Sequence, residues 1–182
     1  MGVIGRRGNR LAAGIVGIGL VGVSALALGL GAGAEGGGAR HASAALHDTS
    51  GNHVGWAKLT EDGTGRVHVN VKVDGLTPGL HGIHIHAVGS CTPPFASAGG
   101  HHNPSATTHG AHAGDLPNLE VNRAGRGRLN SATTAATLSP GPASVFDTDG
   151  SAIIVHADPD DLVTDPAGNS GPRIACGVIV GG

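Results

Sequence analysis

The sequence predicts an all-β fold, an antiparallel sandwich or barrel of short strands joined by turns and long polar loops. Three observations lead there. Val67, Val69, Val71 and Val73 alternate with His68, Asn70 and Lys72, the period-two signature of a strand with one buried and one wet face. Turn chemistry recurs at short intervals, as at Thr49-Ser50-Gly51-Asn52, Glu61-Asp62-Gly63 and Asp149-Gly150. With 34 Gly and 10 Pro among 182 residues, few runs can propagate a helix. Trp56, Phe95 and Phe146 are the only aromatics, so the core must be built from Val, Ile, Leu and Ala.

The first stretch stands outside that fold. Arg6, Arg7 and Arg10 lead into Leu11–Ala34, which carries no charge and consists largely of Leu, Ile, Val, Ala and Gly. This is the layout of an export signal, with Ala32-Gly33-Ala34 and Ala42-Ser43-Ala44 as small-x-small cleavage candidates. An uncleaved membrane anchor is the competing reading of residues 1–34, since the apolar run exceeds a usual signal core. Arg6-Arg7 is only a fragment of a twin-arginine motif, and no Cys near the end of the run offers a lipid attachment point. Either way the chain is expected to be exported. Without residues 1–34 it keeps 8 basic and 13 acidic groups, a net charge of −5. A mildly acidic domain without basic runs is not a nucleic-acid binder. The exported setting also makes Cys91 and Cys176 candidates for a disulfide, which would stabilise by about 4–5 kcal/mol in the chain-entropy picture.

Residues 35–44, rich in Gly and Ala, read as a flexible tether, and the domain proper as 45–182. Strand patterns appear at Ala45–Asp48, Val54–Thr60 and Val67–Val73. Asp74–Gly79 then turns the chain into Gly82-Ile83-His84-Ile85-His86. No regular pattern survives from Gly89 to Pro117, and a loop that long inside a compact domain, dense in His, Asp and Cys, argues for function. Patterns resume at Leu119–Asn122, Arg128–Leu138, Ser144–Phe146 and Ser151–His156. A second polar loop, Asp158–Pro172, precedes a final apolar strand, Ile174–Val180.

His84 and His86, one residue apart on a strand, present both imidazoles on one face while Ile83 and Ile85 point to the other. Alone, the pair reads equally as two solvated histidines. Further potential ligands shift the balance: His101, His109, His112 and Asp115 in the long loop, and His156 at a strand end. Three or more imidazoles suit copper or zinc, and three His with one Asp suit tetrahedral zinc. One site of high coordination and two of ordinary size both remain open on these grounds.

The order and spacing of these motifs resemble the Cu/Zn superoxide dismutase family. The matching runs are Gly79–His86, Gly99-Gly100-His101-His102-Asn103-Pro104 and His112-Ala113-Gly114-Asp115-Leu116. Further on come Ile154-Val155-His156 with Asp160-Asp161, and Arg173-Ile174-Ala175-Cys176-Gly177-Val178-Ile179. The resemblance spans about Ala45 to the C-terminus and implies a Greek-key β-sandwich or flattened barrel of immunoglobulin-like architecture, with long metal-binding loops. It implies copper on His84, His86, His101 and His156, and zinc on His101, His109, His112 and Asp115, with His101 bridging. Asp160 would hydrogen-bond His84 and His109 from behind. Arg173 would guide the substrate, and Cys91–Cys176 would be the intrachain disulfide.

The resemblance further implies conversion of superoxide to dioxygen and hydrogen peroxide by Cu(II)/Cu(I) cycling, with zinc structural and His101 supplying a proton. The alternative is an exported copper/zinc carrier or buffer without turnover. Superoxide would be the substrate, nucleic acid no partner, and the chain a monomer or homodimer. The two-residue spacing of His109 and His112, the long Cys91–His101 segment and the short Asp158–Pro172 loop point to the exported bacterial branch. His41, His47, His53 and His68 are not recruited as ligands. His81 is read as a structural tie for loop backbone, and His102 as lying behind the ligands or exposed. Gly82 leaves no room for a Cβ beside the ligand strand.

Overall fold

The computed structural model describes residues 40–182; the expected export signal or membrane anchor, 1–34, and residues 35–39 of the expected tether lie outside the described residues. Ten strands form the fold: β1 (Arg40–Asp48), β2 (His53–Glu61), β3 (Val67–Val73), β4 (Gly79–His81), β5 (Ile83–His86), β6 (Leu119–Val121), β7 (Gly127–Thr133), β8 (Ala152–His156), β9 (Arg173–Val178) and β10 (Val180–Gly181). The only other regular element among the described residues is a 3-10 turn at Ala96–Ala98. Pairing is antiparallel throughout and runs β4-β6-β7-β3-β2-β1-β9-β8-β5, with β10 added to β1. The two ends of that path, β4 and β5, are separated by Gly82 alone, so the sheet nearly closes on itself. Connections that skip neighbouring strands make it the expected Greek-key flattened barrel. Among the described residues, no helix is long and apolar enough to cross a membrane.

The core is aliphatic, as the shortage of aromatics required. β3 buries every valine and exposes His68, Asn70 and Lys72. His68 stays on the wet face, its Nε2 2.9 Å from Asp62 Oδ2. Leu46, Leu59, Val69, Ile83, Ile85, Ile153 and Val155 are wholly buried in one cluster. Phe95 lies in a small separate cluster with Ala98, Ile154 and Cys176, beneath the disulfide.

Several boundaries differ from the sequence expectation. β1 begins at Arg40, inside the expected tether 35–44, because Ala42 and Ala44 continue the buried alternation that Leu46 makes obvious. His41 and His47 are therefore strand residues, and His53 opens β2, one residue ahead of the expected Val54. β7 stops at Thr133. The chain beyond it is strapped to the barrel by buried Glu61, whose Oε2 accepts the Leu138 and Ser139 N–H groups at 2.8 and 2.6 Å. Ser144–Phe146 is no strand: Ser144 makes an isolated bridge with Thr137, and Val145 N–H donates to Thr137 O. The final apolar run splits at Ile179, so that β9 pairs β8 and the end of β1 while β10 pairs its beginning.

Gly82 closes the barrel. Its N–H donates to Asp158 O and its carbonyl accepts from His156 N–H, both at 2.8 Å. A Cβ there would lie 2.6 Å from Ser170 Cβ. Cys91 and Cys176 are bonded across a sequence separation of 85, tying the long loop to β9. Replacing both with Ser is expected to lower unfolding free energy by about 4–5 kcal/mol, read as a drop in denaturant midpoint with a steeper slope, because the unfolded chain is no longer cross-linked.

Candidate metal centre

β5 supplies two of the candidate ligands and also the means of assembling the rest. Every one of its residues is buried: Ile83 and Ile85 in the core, His84 and His86 beneath loops. One edge of β5 pairs with β8. The other edge, which would otherwise leave backbone groups unpaired, is taken up by the long loop. Ile85 N–H donates to Gly114 O at 2.9 Å, His102 N–H to Ile85 O at 2.8 Å, and Ala87 N–H to Gly100 O at 2.9 Å. Isolated bridges His86–His101 and His84–Asp115 result. Main-chain bonding to a core strand thus carries the loop's candidate ligands to His84 and His86.

Two clusters form and share His101: His84, His86, His101 and His156, and His101, His109, His112 and Asp115. Within each, one donor atom per residue lies within 4.8 Å of all the others. All the histidines are buried. The rings are held so that one nitrogen is engaged from behind and the other is left for the cluster. His84 Nε2–H donates to Asp160 Oδ2 (2.6 Å) and His109 Nε2–H to Asp160 Oδ1 (2.9 Å). His86 Nδ1–H donates to Gly99 O (2.9 Å) and His156 Nδ1–H to Gly171 O (3.1 Å). Such backing is what metal-ligating imidazoles require, since it fixes tautomer and ring orientation.

The donor atoms fit metal ions. His84 Nδ1, His101 Nε2 and His109 Nδ1 are buried with no hydrogen-bond partner, a state that costs about 1–3 kcal/mol per group unless a cation fills it. In the second cluster, His112 Nδ1 lies 3.3 Å from His101 Nδ1 and 3.2 Å from Asp115 Oδ1, and His109 Nδ1 lies 3.4 Å from the same oxygen. Tetrahedral zinc with bonds of about 2.0–2.1 Å demands edges of roughly 3.3 Å. His101 Nδ1 and Asp115 Oδ1 are closer, at 2.7 Å. In the first cluster His86 Nε2 and His156 Nε2 are 3.5 Å apart.

Electrostatics favour the metal-binding protonation states. Burial, reinforced by neighbouring histidines and Arg173, pushes His86 down to about 2 and His156 down to about 4. Burial and the nearby His101 lower His84 as well. Burial works to raise Asp115, but hydrogen bonds from His101 and the His112 N–H outweigh it and hold the carboxyl down at about 2. Asp160 is lowered in the same way, burial opposing and the His109 and His84 hydrogen bonds prevailing. Neutral imidazoles facing ionised carboxylates are the forms that bind divalent cations.

Arg173 opens β9, half-buried, beside the first cluster. Its Nη1 and Nη2 donate to Phe95 O and Gly99 O, both at 2.6 Å. It borders a cleft of about 600 Å³ lined also by Pro94, Gly100 and Gly171. Burial lowers its pKa from the ordinary value, though a guanidinium stays charged. His81 ties backbone as expected, Nδ1 to His156 O and Nε2 to Thr77 O, both at 2.8 Å. His102 is buried, its Nε2 3.3 Å from Ala143 O.

Three features escape sequence reasoning. The Gly99 and Gly171 carbonyls leave no side-chain signal. Asn118 clamps Asp160 through its Nδ2–H to Asp160 O (2.8 Å) and its Oδ1 to Asp160 N–H (2.7 Å). Gly168, at φ 59°, leaves the space in which the Asp160 carboxylate sits.

Comparison with known proteins adds to the geometry. Residues 53–179 match the family described as copper/zinc superoxide dismutase (SODC). The chain is 42% identical over 147 residues to superoxide dismutase (Cu-Zn) 2 of Aquifex aeolicus strain VF5, covering 76% of this chain and 85% of that one. To the superoxide dismutase-like protein YojM of Bacillus subtilis strain 168 it is 39% identical over 145 residues, covering 75% and 74%. Among solved structures, a superoxide dismutase-like protein from Bacillus subtilis superposes with a TM-score of 0.72 at 37% identity, covering 76% of this chain and 97% of that one. A Cu/Zn superoxide dismutase from Brucella abortus gives 0.64 at 28% identity, covering 76% and 98%.

Two outcomes are expected. Histidines held below their unfolded value of about 6.5 refuse protons that the unfolded chain accepts, so stability falls as pH drops below about 6.5 toward the folded values. The metal-free protein should therefore lose on the order of a few kcal/mol between pH 7 and pH 4, seen as a falling urea midpoint. Asp160→Asn, which cannot accept from both imidazoles as an anion, should weaken metal binding by about 10–100-fold in a chelator competition titration.

Proposed function

The chain belongs to the copper/zinc superoxide dismutase family, and we propose that it is an exported enzyme converting superoxide to dioxygen and hydrogen peroxide. The observation that carries this reading is the first cluster itself: four buried imidazoles converge on one point beside an open cleft that Arg173 borders. His84, His86, His101 and His156 would hold copper; His101, His109, His112 and Asp115 would hold zinc. Copper held there would supply the one-electron redox chemistry that both halves of the dismutation need, and zinc held by the second cluster would be structural.

The chain's own residues do the rest. Arg173 offers the anion a positive charge in a domain that is otherwise net negative, so local field must outweigh overall charge. Two carbonyls hold its guanidinium, and one of them, Gly99 O, also holds His86. The anion's docking point and a copper ligand are thereby fixed relative to each other. Peroxide formation consumes protons, and His101 Nε2 is the atom at which this chain can hold and release one.

A disulfide closing so long a loop suits an oxidising compartment and supports export. Residues 1–34 would direct it, by a cleaved signal or as a retained membrane anchor. The competing function is a copper/zinc carrier without turnover.

Purified protein loaded with copper and zinc should dismutate superoxide in a stopped-flow assay. His156→Ala should cost more activity than the roughly 100-fold typical of an outer-partner loss. Arg173→Gln should slow the reaction about tenfold or more and flatten its dependence on ionic strength. Full metal loading with no turnover would overturn the enzyme reading and leave the carrier.

A further inference from the structure

The outer face of β2, β3 and β7 carries a feature that the metal centre does not use. Strand register sets Trp56 opposite Lys72, and Lys72 opposite Arg128. One step along, Lys58 faces Asn70, and Asn70 faces Asn130. Lys58, Lys72 and Arg128 are exposed and Trp56 is half-buried. The Lys58 and Lys72 ammonium groups stand 5.1 and 5.0 Å from the indole centroid, within cation–π range. Trp56, Lys72 and Arg128 border two adjoining grooves of about 820 and 290 Å³.

The charge here runs against the rest of the domain. Residues 40–182 carry eight Lys and Arg against twelve Asp and Glu. Four of the eight, Lys58, Lys72, Arg126 and Arg128, line these grooves, with only Asp74 and Glu120 among them. The ion pairs found among the described residues are all between histidine and aspartate, so none of the four cations is neutralised within 4.0 Å. Like charges directly opposite on neighbouring strands destabilise a sheet. Lys72 and Arg128 are such a pair, and Lys58 crowds the same indole. Glu120 faces Arg128 across β6 and the indole takes up part of the ammonium charge, but three cations still share one face, and that excess points to an anionic ligand.

We propose that this face binds a linear acidic polysaccharide, its carboxylates or sulfates set between Lys58, Lys72 and Arg128. The Trp56 indole offers an apolar surface to a sugar ring, and the Asn70 and Asn130 amides can donate to and accept from its hydroxyls. The cations lie along grooves on a strand face, which admit a narrow chain but turn their rims toward a flat bilayer. A single indole gives no ladder on which successive bases could stack. The face is built on strands that provide none of the metal-cluster residues, so binding retains the protein at an acidic glycan without touching the metal centre.

Trp56 is the only tryptophan in the chain, so its emission reports on this face alone. Titrating the metal-loaded full chain with polygalacturonate oligomers should change that emission saturably, and neutral dextran should not. Affinity should weaken about tenfold or more between low and physiological salt. The double variant Lys72→Gln, Arg128→Gln should bind at least about tenfold more weakly, with unchanged dismutase activity and a denaturant midpoint no lower than the parent's. No emission change at low salt, or unaltered affinity in the double variant, would overturn the proposal. So would a response to phosphatidylglycerol vesicles or to a single-stranded oligonucleotide that equals or exceeds the response to polygalacturonate.

Discussion

The Asp160 carboxylate spends one oxygen on each half of the histidine cluster: Oδ2 on His84 and Oδ1 on His109. Those two imidazoles belong to different donor sets, which share His101. A buried anion is tolerable because donors surround it, and the second polar loop is shaped to provide them. Leu162 takes a left-handed backbone, φ 67°, unusual for a bulky residue, and its N–H reaches Asp160 Oδ1 at 2.6 Å. Asn118 grips the Asp160 main chain from the other side. One acidic group from the β8–β9 connection therefore sets ring orientation on both sides of the shared histidine.

The strand that carries His84 and His86 divides its chemistry by direction. Up and down, it separates isoleucine from histidine. Sideways, it separates barrel from loop: β8 takes one hydrogen-bonding edge and the metal loop takes the other. An interior strand normally spends both edges on the sheet. Leaving one edge of β5 open, at the seam where the barrel fails to close fully, converts a liability of β-structure into a docking rail for ligands.

Much of this was legible in the residues. Strict alternation in β3 and the His84-Ile85-His86 spacing depend only on the two-residue period of a strand, which no tertiary context altered. The sharing of His101 came from the family resemblance; the residue types alone left one site or two. Two of the boundaries that differ from expectation involve small or isolated residues. Ala42 and Ala44 alternate as faithfully as valines, but alanine bears too little hydrophobic signal to distinguish a strand from a tether. Ser144–Phe146 has strand-like composition, yet only one bridge holds it, while Val145 is buried for packing. The Gly99 and Gly171 carbonyls could not be foreseen, because every residue has one and only the fold decides where it points.

Gly99 O accepts at once from His86 and from Arg173. The proposed anion guide and a candidate metal ligand thus hang on one peptide unit and share a mechanical coordinate. A shift of that unit toward solvent withdraws support from the imidazole and the guanidinium together. Changes in the segment between Cys91 and His101 will consequently move the seating of the imidazole and of the guanidinium in concert, and under the proposed function selection acting on either inherits its effect on the other.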